Sequence, residues 1–470
     1  MTSPSPAIVW FRRDLRTSDH PALTAAAEGG RPVIPVYIHD PAGPPRSLGA
    51  ASAWWLDKSL ARLANDLAAL GSPLILRRGD SATMLRALIA ETGATTVYWN
   101  RLYDGATVSR DTALKGELTG AGLDARSFNG ALLNEPWTIG TGAGAPYRVF
   151  TAYWRAARTT AGDIGPLPAP KRLVAPAISP RSDSLSDWSL HPSKPDWSGG
   201  FGIWSPGEAD ARARLEAFLD APARRYGEHR DRPDLEGTSR LSPHLHFGEI
   251  SPRQVWAATD VAAHVAAAPT GQIEVFQKEL GWREFSHHLL FHFPHIATEN
   301  FNAAFDRFPW RDDPEGLAAW RAGRTGYPMV DAGMRQLWST GWMHNRVRMI
   351  VASFLVKELL IDWRAGEDWF WTTLVDADVA NNVANWQWAA GCGADAAPYF
   401  RVFNPTLQGE KFDPSGAYVR RWVPELARLS DADVHQPWRA ACPPPTYPAP
   451  IIDHASARNR ALEAYQRAKP

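Results

Sequence analysis

Only two cysteines occur in this chain of 470 residues, Cys392 and Cys442. They are far apart and form no C-x-x-C pair, so a disulfide framework and a structural zinc site are both excluded. Net charge is also lacking: 50 basic residues balance 50 acidic ones. Binding to a polyanion must then come from a local patch rather than a global field. No uncharged apolar run approaches membrane-spanning length, and even Met349–Ile361 carries Lys357 and Glu358. Thr2–Pro6 leads directly into a strand-like run and then Arg12-Arg13, leaving no signal-peptide core. The expected location is the cytoplasm. What the chain has in excess is tryptophan, 22 in all, thirteen of them from Trp256 onward. A buried indole N–H needs a partner, so most of these are expected in a large aromatic core.

The first part of the chain alternates short apolar runs with helix-like segments. Strands are expected at Ala7–Phe11, Pro32–Ile38, Pro73–Arg77, Thr95–Trp99 and Leu123–Phe128, with helical periodicity between them in Ala51–Leu70 and Ser81–Glu91. Strands apolar on both faces and spaced by helices imply a parallel, doubly wound α/β sheet. The first strand runs into Arg12-Arg13-Asp14-Leu15-Arg16 with no G-x-G-x-x-G, which excludes an NAD-type turn. Periodicity dissolves between Gly130 and Pro206, where repeated prolines imply a connector wrapped over a surface. From Gly207 the pattern is helical in Glu208–Ala221, Ser251–Ala267, Glu274–His292, Pro328–Ser339 and Trp342–Leu360. The expected division is an α/β domain over 1–130, a Pro-rich connector over 131–206 and an all-α domain over 207–470.

Several clusters carry chemistry. Gly237-Thr-Ser-Arg-Leu-Ser-Pro243 places three hydroxyls ahead of a helix-starting proline. Ser242 there reads equally as a plain N-cap or as part of a phosphate cradle. Asp376-Ala-Asp378 resembles a calcium loop at first sight, but Asn381 and Gln387 stand where an EF-hand requires Gly and Glu. Two such carboxylates could instead accept hydrogen bonds from a ring N–H or from ribose hydroxyls, with Arg348 as an ion-pair partner. His288 and His292 lie four apart, but no third ligand or H-E-x-x-H accompanies them, so packing is expected and no metal. Glu279, Trp282 and Arg283 can face one pocket from a single helix, as Asn345 and Met349 can from another. Carboxyl, indole, amide and thioether together suit a planar heteroaromatic ligand.

These segments, in this order, resemble the DNA photolyase/cryptochrome family over essentially the whole length. The matching stretches are Trp10-Phe-Arg-Arg-Asp-Leu-Arg16, Arg230-Asp-Arg-Pro233, Gly237–Gly248, Trp282-Arg-Glu-Phe285 and Thr325-Gly-Tyr-Pro-Met-Val-Asp331. Further on come Gly341-Trp-Met-His-Asn-Arg-Val-Arg-Met349, Ile361-Asp-Trp363, Asp376–Asn382, Trp386-Gln-Trp388 and Phe403-Asn-Pro405. The resemblance implies an α/β antenna domain followed by an all-α domain that binds FAD.

It also implies roles. Tyr226, Thr238, Ser239, Arg240, Leu241 and Ser242 would hold the FAD phosphates and ribityl chain. Asp376, Ala377 and Asp378 would contact flavin and ribose, with Arg348 paired to Asp376. Asn382 would sit beside the reactive flavin nitrogen. Trp386, Trp363 and Trp310 match an electron relay from flavin to surface. Glu279, Trp282, Asn345, Met349 and Trp388 would form the lesion pocket, and Arg230, Arg283, Arg346 and Gln408 would join them in contacting DNA. The implied activity is light-driven repair of cyclobutane pyrimidine dimers flipped out of damaged DNA, by a monomer that touches no membrane. The alternative is a blue-light signalling cryptochrome of the same fold, although plant-type members usually carry an acidic residue where this chain has Asn382. The (6-4) photolyases carry histidines where Asn345 and Met349 stand. A second, antenna chromophore is implied, a folate ahead of a deazaflavin. One departure stands out: Val383-Ala-Asn385 replaces the Gly-Gly common in many bacterial members, and with the Trp-rich helices it points to the bacterial group nearest plant cryptochromes.

Overall fold

The computed structural model describes residues 4–160, 165–177, 179–396 and 401–468. Five strands, β1 (Ala7–Phe11), β2 (Val33–His39), β3 (Ile75–Arg78), β4 (Thr96–Asn100) and β5 (Asp124–Phe128), form one parallel sheet in the order β3-β2-β1-β4-β5. Helices α1 (Pro21–Glu28), α2 (Ala50–Leu70), α3 (Ser81–Thr92) and α4 (Gly105–Gly120) supply the crossovers. The sheet is doubly wound because each strand buries both faces. Ala7, Val9 and Phe11 pack with Trp55, Leu60 and Leu63 of α2, while Ile8 and Trp10 pack with Leu85 and Leu88 of α3 and Leu114 and Leu118 of α4. In register, Ile8 pairs with Ile34 on one side and Val97 on the other.

The second half is helical: α5 (Phe150–Thr160), α6 (Glu208–Asp220), α7 (Tyr226–His229), α8 (Ser242–Phe247), α9 (Pro252–His264) and α10 (Thr270–His292) come first. They are followed by α11 (Pro314–Arg321), α12 (Pro328–Thr340), α13 (Asn345–Ser353), α14 (Trp363–Thr373), α15 (Val379–Ala390), α16 (Pro405–Phe412), α17 (Ala417–Trp422) and α18 (His454–Ala468). No helix among the described residues is long and apolar enough to cross a membrane.

Two expectations change here. The segment expected to be a bare connector contains α5, whose Phe150, Tyr153, Trp154 and Ala157 join the core of the helical part. Pro136 and Pro146 precede the helix and the other prolines of the segment follow from Pro166 on, which is why it escapes notice between breakers. Residues 161–164 and 178 of that segment lie outside the described ones. The run Trp342–Leu360 is also not one helix. The His344 side chain caps α13 by accepting from Arg346 N, and beyond Ser353 the backbone widens into a π-helical turn over Phe354–Glu358.

The two parts are joined at the carboxyl end of β1. Arg16, fully buried, donates to the carbonyls of Gly248 (2.8 Å), Gly130 (2.7 Å) and Asp19 (2.6 Å), and Leu15 N donates to Phe247 O at 3.0 Å. The family-like arginine motif therefore serves docking. Gly248 caps α8 at φ +68°, and a Cβ there would lie 2.2 Å from Arg13 O. A second seam runs between the start of α2 and α14: Trp371 Nε1 donates to Ser47 O (2.8 Å), and Ser52 Oγ donates to Leu374 O (3.1 Å). A Cβ on Gly49 would fall 1.9 Å from Trp371 O. Gly49→Ala is therefore expected to force the seam apart and lower stability by about 1–3 kcal/mol, read as a reduced midpoint in thermal or denaturant unfolding.

Candidate active site

Two cavities adjoin in the helical part. The larger, about 250 Å³, is lined by Glu279, Trp282 and Ser286 of α10, Asn345, Arg346 and Met349 of α13, Asn385 and Trp388 of α15, and Arg230. The smaller, about 100 Å³, is lined by Arg348 and Met349, Phe370 of α14, Asp376–Asp378, Asn382 and Trp386. Met349, Asn385 and Trp388 belong to both walls. A group in one cavity is thus separated from a group in the other by a single layer of side chains.

The spacing of the contributing residues explains this convergence. Glu279 and Trp282 are three apart on α10, and Asn345 and Met349 four apart on α13, so each pair projects from one helix face. Helix α15 presents Asn382, Asn385, Trp386 and Trp388 in under two turns. Trp282, 37% exposed, lies flat on Phe150 of α5, ring centroids 3.7 Å apart and planes 8° from parallel. Helix α5 therefore fixes the plane of the larger cavity's main aromatic wall. Arg230 Nη1 donates to Glu279 Oε1 at 2.5 Å, its guanidinium lying 5.5 Å from the Tyr226 ring centroid. The carboxylate of Glu279 thus enters the cavity as an acceptor already paired with a cation. Arg346 is paired with Asp231 at 2.7 Å and lies over Phe412 of α16, the helix that carries half-buried Gln408.

The smaller cavity has a polar edge. Arg348 Nη2 donates to Asp376 Oδ2 at 2.7 Å, as the sequence leads one to expect, and its Nε to Met343 O at 2.8 Å. The other oxygen, Asp376 Oδ1, is buried without a partner, as is Trp386 Nε1. Asp378 caps α15, its Oδ1 accepting from Asn381 N at 2.9 Å. Burial would raise its pKa, but His287, His246 and Arg13 around it hold it well below the usual carboxylate range. Burial lowers both imidazoles in turn, His287 to about 4, against the opposing pull of Asp378. Arg13, at 3.6 Å, is the guanidinium that faces Asp378 from the α/β domain. Asn382 Nδ2 donates to Glu367 Oε1 (2.7 Å) and Glu367 O (3.1 Å).

Residues 276–467 match the FAD binding domain of DNA photolyase, and residues 7–171 match the DNA photolyase family. A deoxyribodipyrimidine photo-lyase of Agrobacterium fabrum is 54% identical over 99% of this chain and 98% of its own length. The chain belongs to the DNA photolyase family. Cryptochrome-1 of Arabidopsis thaliana is 39% identical over 97% of this chain and 70% of its own length. The crystal structure of a bacterial class III photolyase from Agrobacterium tumefaciens superposes with a TM-score of 0.95 at 52% identity, covering 100% of this chain and 98% of the other. The helical part of this photolyase is the family's FAD-binding domain, and the sheet is its N-terminal α/β domain.

Not every expected residue converges. Arg283 leaves the lesion face: its Nη1 donates to Ala131 O at 2.9 Å, and it lines a crevice between the domains with Arg13, His246 and His287. Ser242 is the first residue of α8 rather than its N-cap, which is Leu241, and its hydroxyl accepts from Trp342 Nε1 at 3.3 Å. The Thr238–Ser242 turn, with Arg240 at φ +51° over the Trp342 ring, sits beside the two cavities and not in their walls. Tyr226 is buried against Phe218 and Phe276. Of the three tryptophans expected to form a relay, Trp386 and Trp363 are buried and Trp310 is half-buried. Trp363 Nε1 donates to Asn300 Oδ1 at 2.9 Å. Phe150, Glu367, Phe370 and Trp320 were not signalled by any motif; Trp320 lies 6.2 Å and Phe370 5.0 Å from Trp386, ring to ring. Replacing Arg283 with Ala is expected to leave affinity for DNA within about twofold of the parent while lowering thermal stability. Titration of a labelled duplex beside a melting curve checks both.

Proposed function

We propose that this photolyase repairs cyclobutane pyrimidine dimers in DNA, taking light through reduced FAD. The observation that carries the reading is the shared wall of the two cavities, with an aromatic, thioether-lined pocket on one side and a polar-edged cofactor site on the other. The residues fit a flavin: Asp376 Oδ1 is a free buried acceptor for a ring N–H or a ribose hydroxyl, Trp386 Nε1 is a free donor, and Phe370 and Trp386 offer aromatic surface. Asp376, Ala377, Asp378, Arg348 and Asn382 would hold the flavin end, and Tyr226 with Thr238–Ser242 the phosphates. Reduced FAD, when bound, supplies an electron on excitation, which is the hard chemistry of the reaction.

The side chains do the rest. Trp282, braced by Phe150, and Trp388 accept the fused bases of a flipped dimer, and flipping costs least where a lesion has already weakened stacking and pairing. Met349 fills the remaining apolar wall. The Arg230–Glu279 pair offers an acceptor to base N–H groups and a fixed positive charge where negative charge develops on the dimer. Arg346, in the wall of the larger cavity, and Gln408 would contact the phosphate backbone. Trp386, in the wall of the cofactor cavity, and Trp363 and Trp310 would carry electrons in from the surface to refill the flavin. Asn345 and Met349, where the (6-4) photolyases carry histidines, favour the cyclobutane lesion.

An antenna chromophore, a folate by preference, would fit a surface cleft. It is lined by Trp197, Phe201, Trp338, Thr372 and Thr373. Trp197 and Trp338 are exposed at 39% and 63%, large aromatic faces left to solvent. Thr372 and Thr373 lie on α14, whose Phe370 faces the cofactor cavity, so one helix separates the two chromophores. Trp338→Ala should abolish near-ultraviolet absorption by a second chromophore while FAD content stays at the parent level; an unchanged spectrum would remove the cleft from consideration.

Reduced protein under blue light should restore a thymine cyclobutane dimer and leave a (6-4) photoproduct untouched. Glu279→Ala should lower the repair yield, by up to roughly 10²-fold where charge stabilisation limits the step. Absence of dimer repair by the fully reduced parent, in duplex and single strand alike, would establish the signalling alternative instead.

A further inference from the structure

Helix α14 meets the α/β domain through Arg46, which lies in the stretch between β2 and α2. The Arg46 guanidinium lies over the Trp371 ring, 3.9 Å from its centroid, and its Nη2 is 2.5 Å from Glu367 Oε1. That same oxygen accepts the Asn382 amide N–H at 2.7 Å. Asp368 is the other acid nearby, 3.8 Å from Arg46 Nη1. Since both partners of the Asn382 amide on this side, Glu367 Oε1 and Glu367 O, are oxygens, the amide must present its nitrogen to them. Its carbonyl oxygen is left for the cofactor cavity, whose wall Asn382 forms.

We propose that Arg46 is a positioning residue for the flavin: acting through Glu367 across the domain seam, it holds Asn382 with an acceptor toward the cofactor. The inference rests on the reading of Asn382 as the neighbour of the reactive flavin nitrogen. That nitrogen carries a hydrogen in the reduced flavin and none in the oxidised one, so an acceptor facing it stabilises the reduced form alone. The anchor for this orientation is an ionised Glu367. Burial pushes the Glu367 pKa up, and Arg46 is the chief group opposing that rise. Without the guanidinium, a protonated Glu367 could donate to the Asn382 carbonyl and turn the amide, presenting a donor to the flavin and favouring the oxidised ring. The seam is well suited to transmit this control, because Gly49 on Trp371 O and Ser52 on Leu374 O fix the Arg46 segment against α14.

The test is a spectroelectrochemical titration of FAD-loaded protein, comparing the parent with Arg46→Met, Arg46→Lys and Asn382→Ala. Arg46→Met should reduce the ratio of reduced to oxidised flavin at a fixed potential by roughly tenfold, the effect of one hydrogen bond gained or lost on one redox state. Arg46→Lys should recover much of it, and FAD content should equal the parent's in all. If Asn382→Ala shifts the titration and Arg46→Met does not, the assignment of Arg46 is wrong while the role of Asn382 stands. If neither shifts, both fall. Arg46→Gln replaces the Met variant should that protein not fold, and failure of both to load FAD while Arg46→Lys loads normally would likewise overturn a positioning role.

Discussion

The site depends on one buried carboxylate. Asp378 caps the helix that carries Asn382, Asn385, Trp386 and Trp388, so its position sets the height and rotation of all four. A charged N-cap inside a protein is tenable only with a compensating cation and hydrogen-bond partners. Here the cation is Arg13, donated by the α/β domain from the end of β1, while His246 and His287 close the remaining sides. The N-terminal domain therefore does more than pack against the helical one. It completes the electrostatics of the helix on which cofactor and lesion walls are built, and α8 must approach Arg13 so closely that only glycine serves at 248.

Much of this was readable along the chain. Doubly apolar strands announced a covered parallel sheet, and pairs such as Glu279 with Trp282 or Asn345 with Met349 announced shared helix faces. What a helix period leaves undecided is which flank a pocket takes. From Glu279, Trp282 is about 60° to one side and Arg283 about 40° to the other, at roughly 100° per residue. Both flanks fit the pattern, and only the position of the α/β domain assigns Arg283 to the seam. Partners distant in sequence were invisible for the same reason. Phe150 and Trp282 have no common periodicity, nor have Arg46, Glu367 and Asn382, and Asn382 alone carried a motif. Ser242 misled because hydroxyl-before-proline spacing suits an N-cap and an N1 position equally; the φ of Arg240, +51°, shifts the helix start by one residue.

The tryptophan excess divides into distinct physical jobs. Trp55, Trp99, Trp320 and Trp363 are fully buried core, and Trp55, Trp320 and Trp363 satisfy their N–H groups with Glu249, Val351 O and Asn300. Trp386, like Trp10 and Trp422, has a buried indole N–H with no partner, and it lines the smaller cavity, where a ligand edge would supply one. Trp282 and Trp388 stay partly open in the wall of the larger cavity. One residue type thus occupies three environments: satisfied core, an open indole N–H at the smaller cavity, and partly exposed rings in the wall of the larger one.

Helix α5 has a consequence for how the enzyme can be divided. It precedes the helical domain by some fifty residues of proline-punctuated chain, yet its Phe150 is the floor beneath Trp282 and its Trp154 fills the space left by the missing side chain of Gly281. A fragment cut where periodicity changes, near residue 207, would carry every lesion-facing side chain and still lack the surface against which the main aromatic wall is levelled. The catalytic unit is discontinuous in sequence, and its pocket cannot take final shape during synthesis until a strap made early has closed over helices made late.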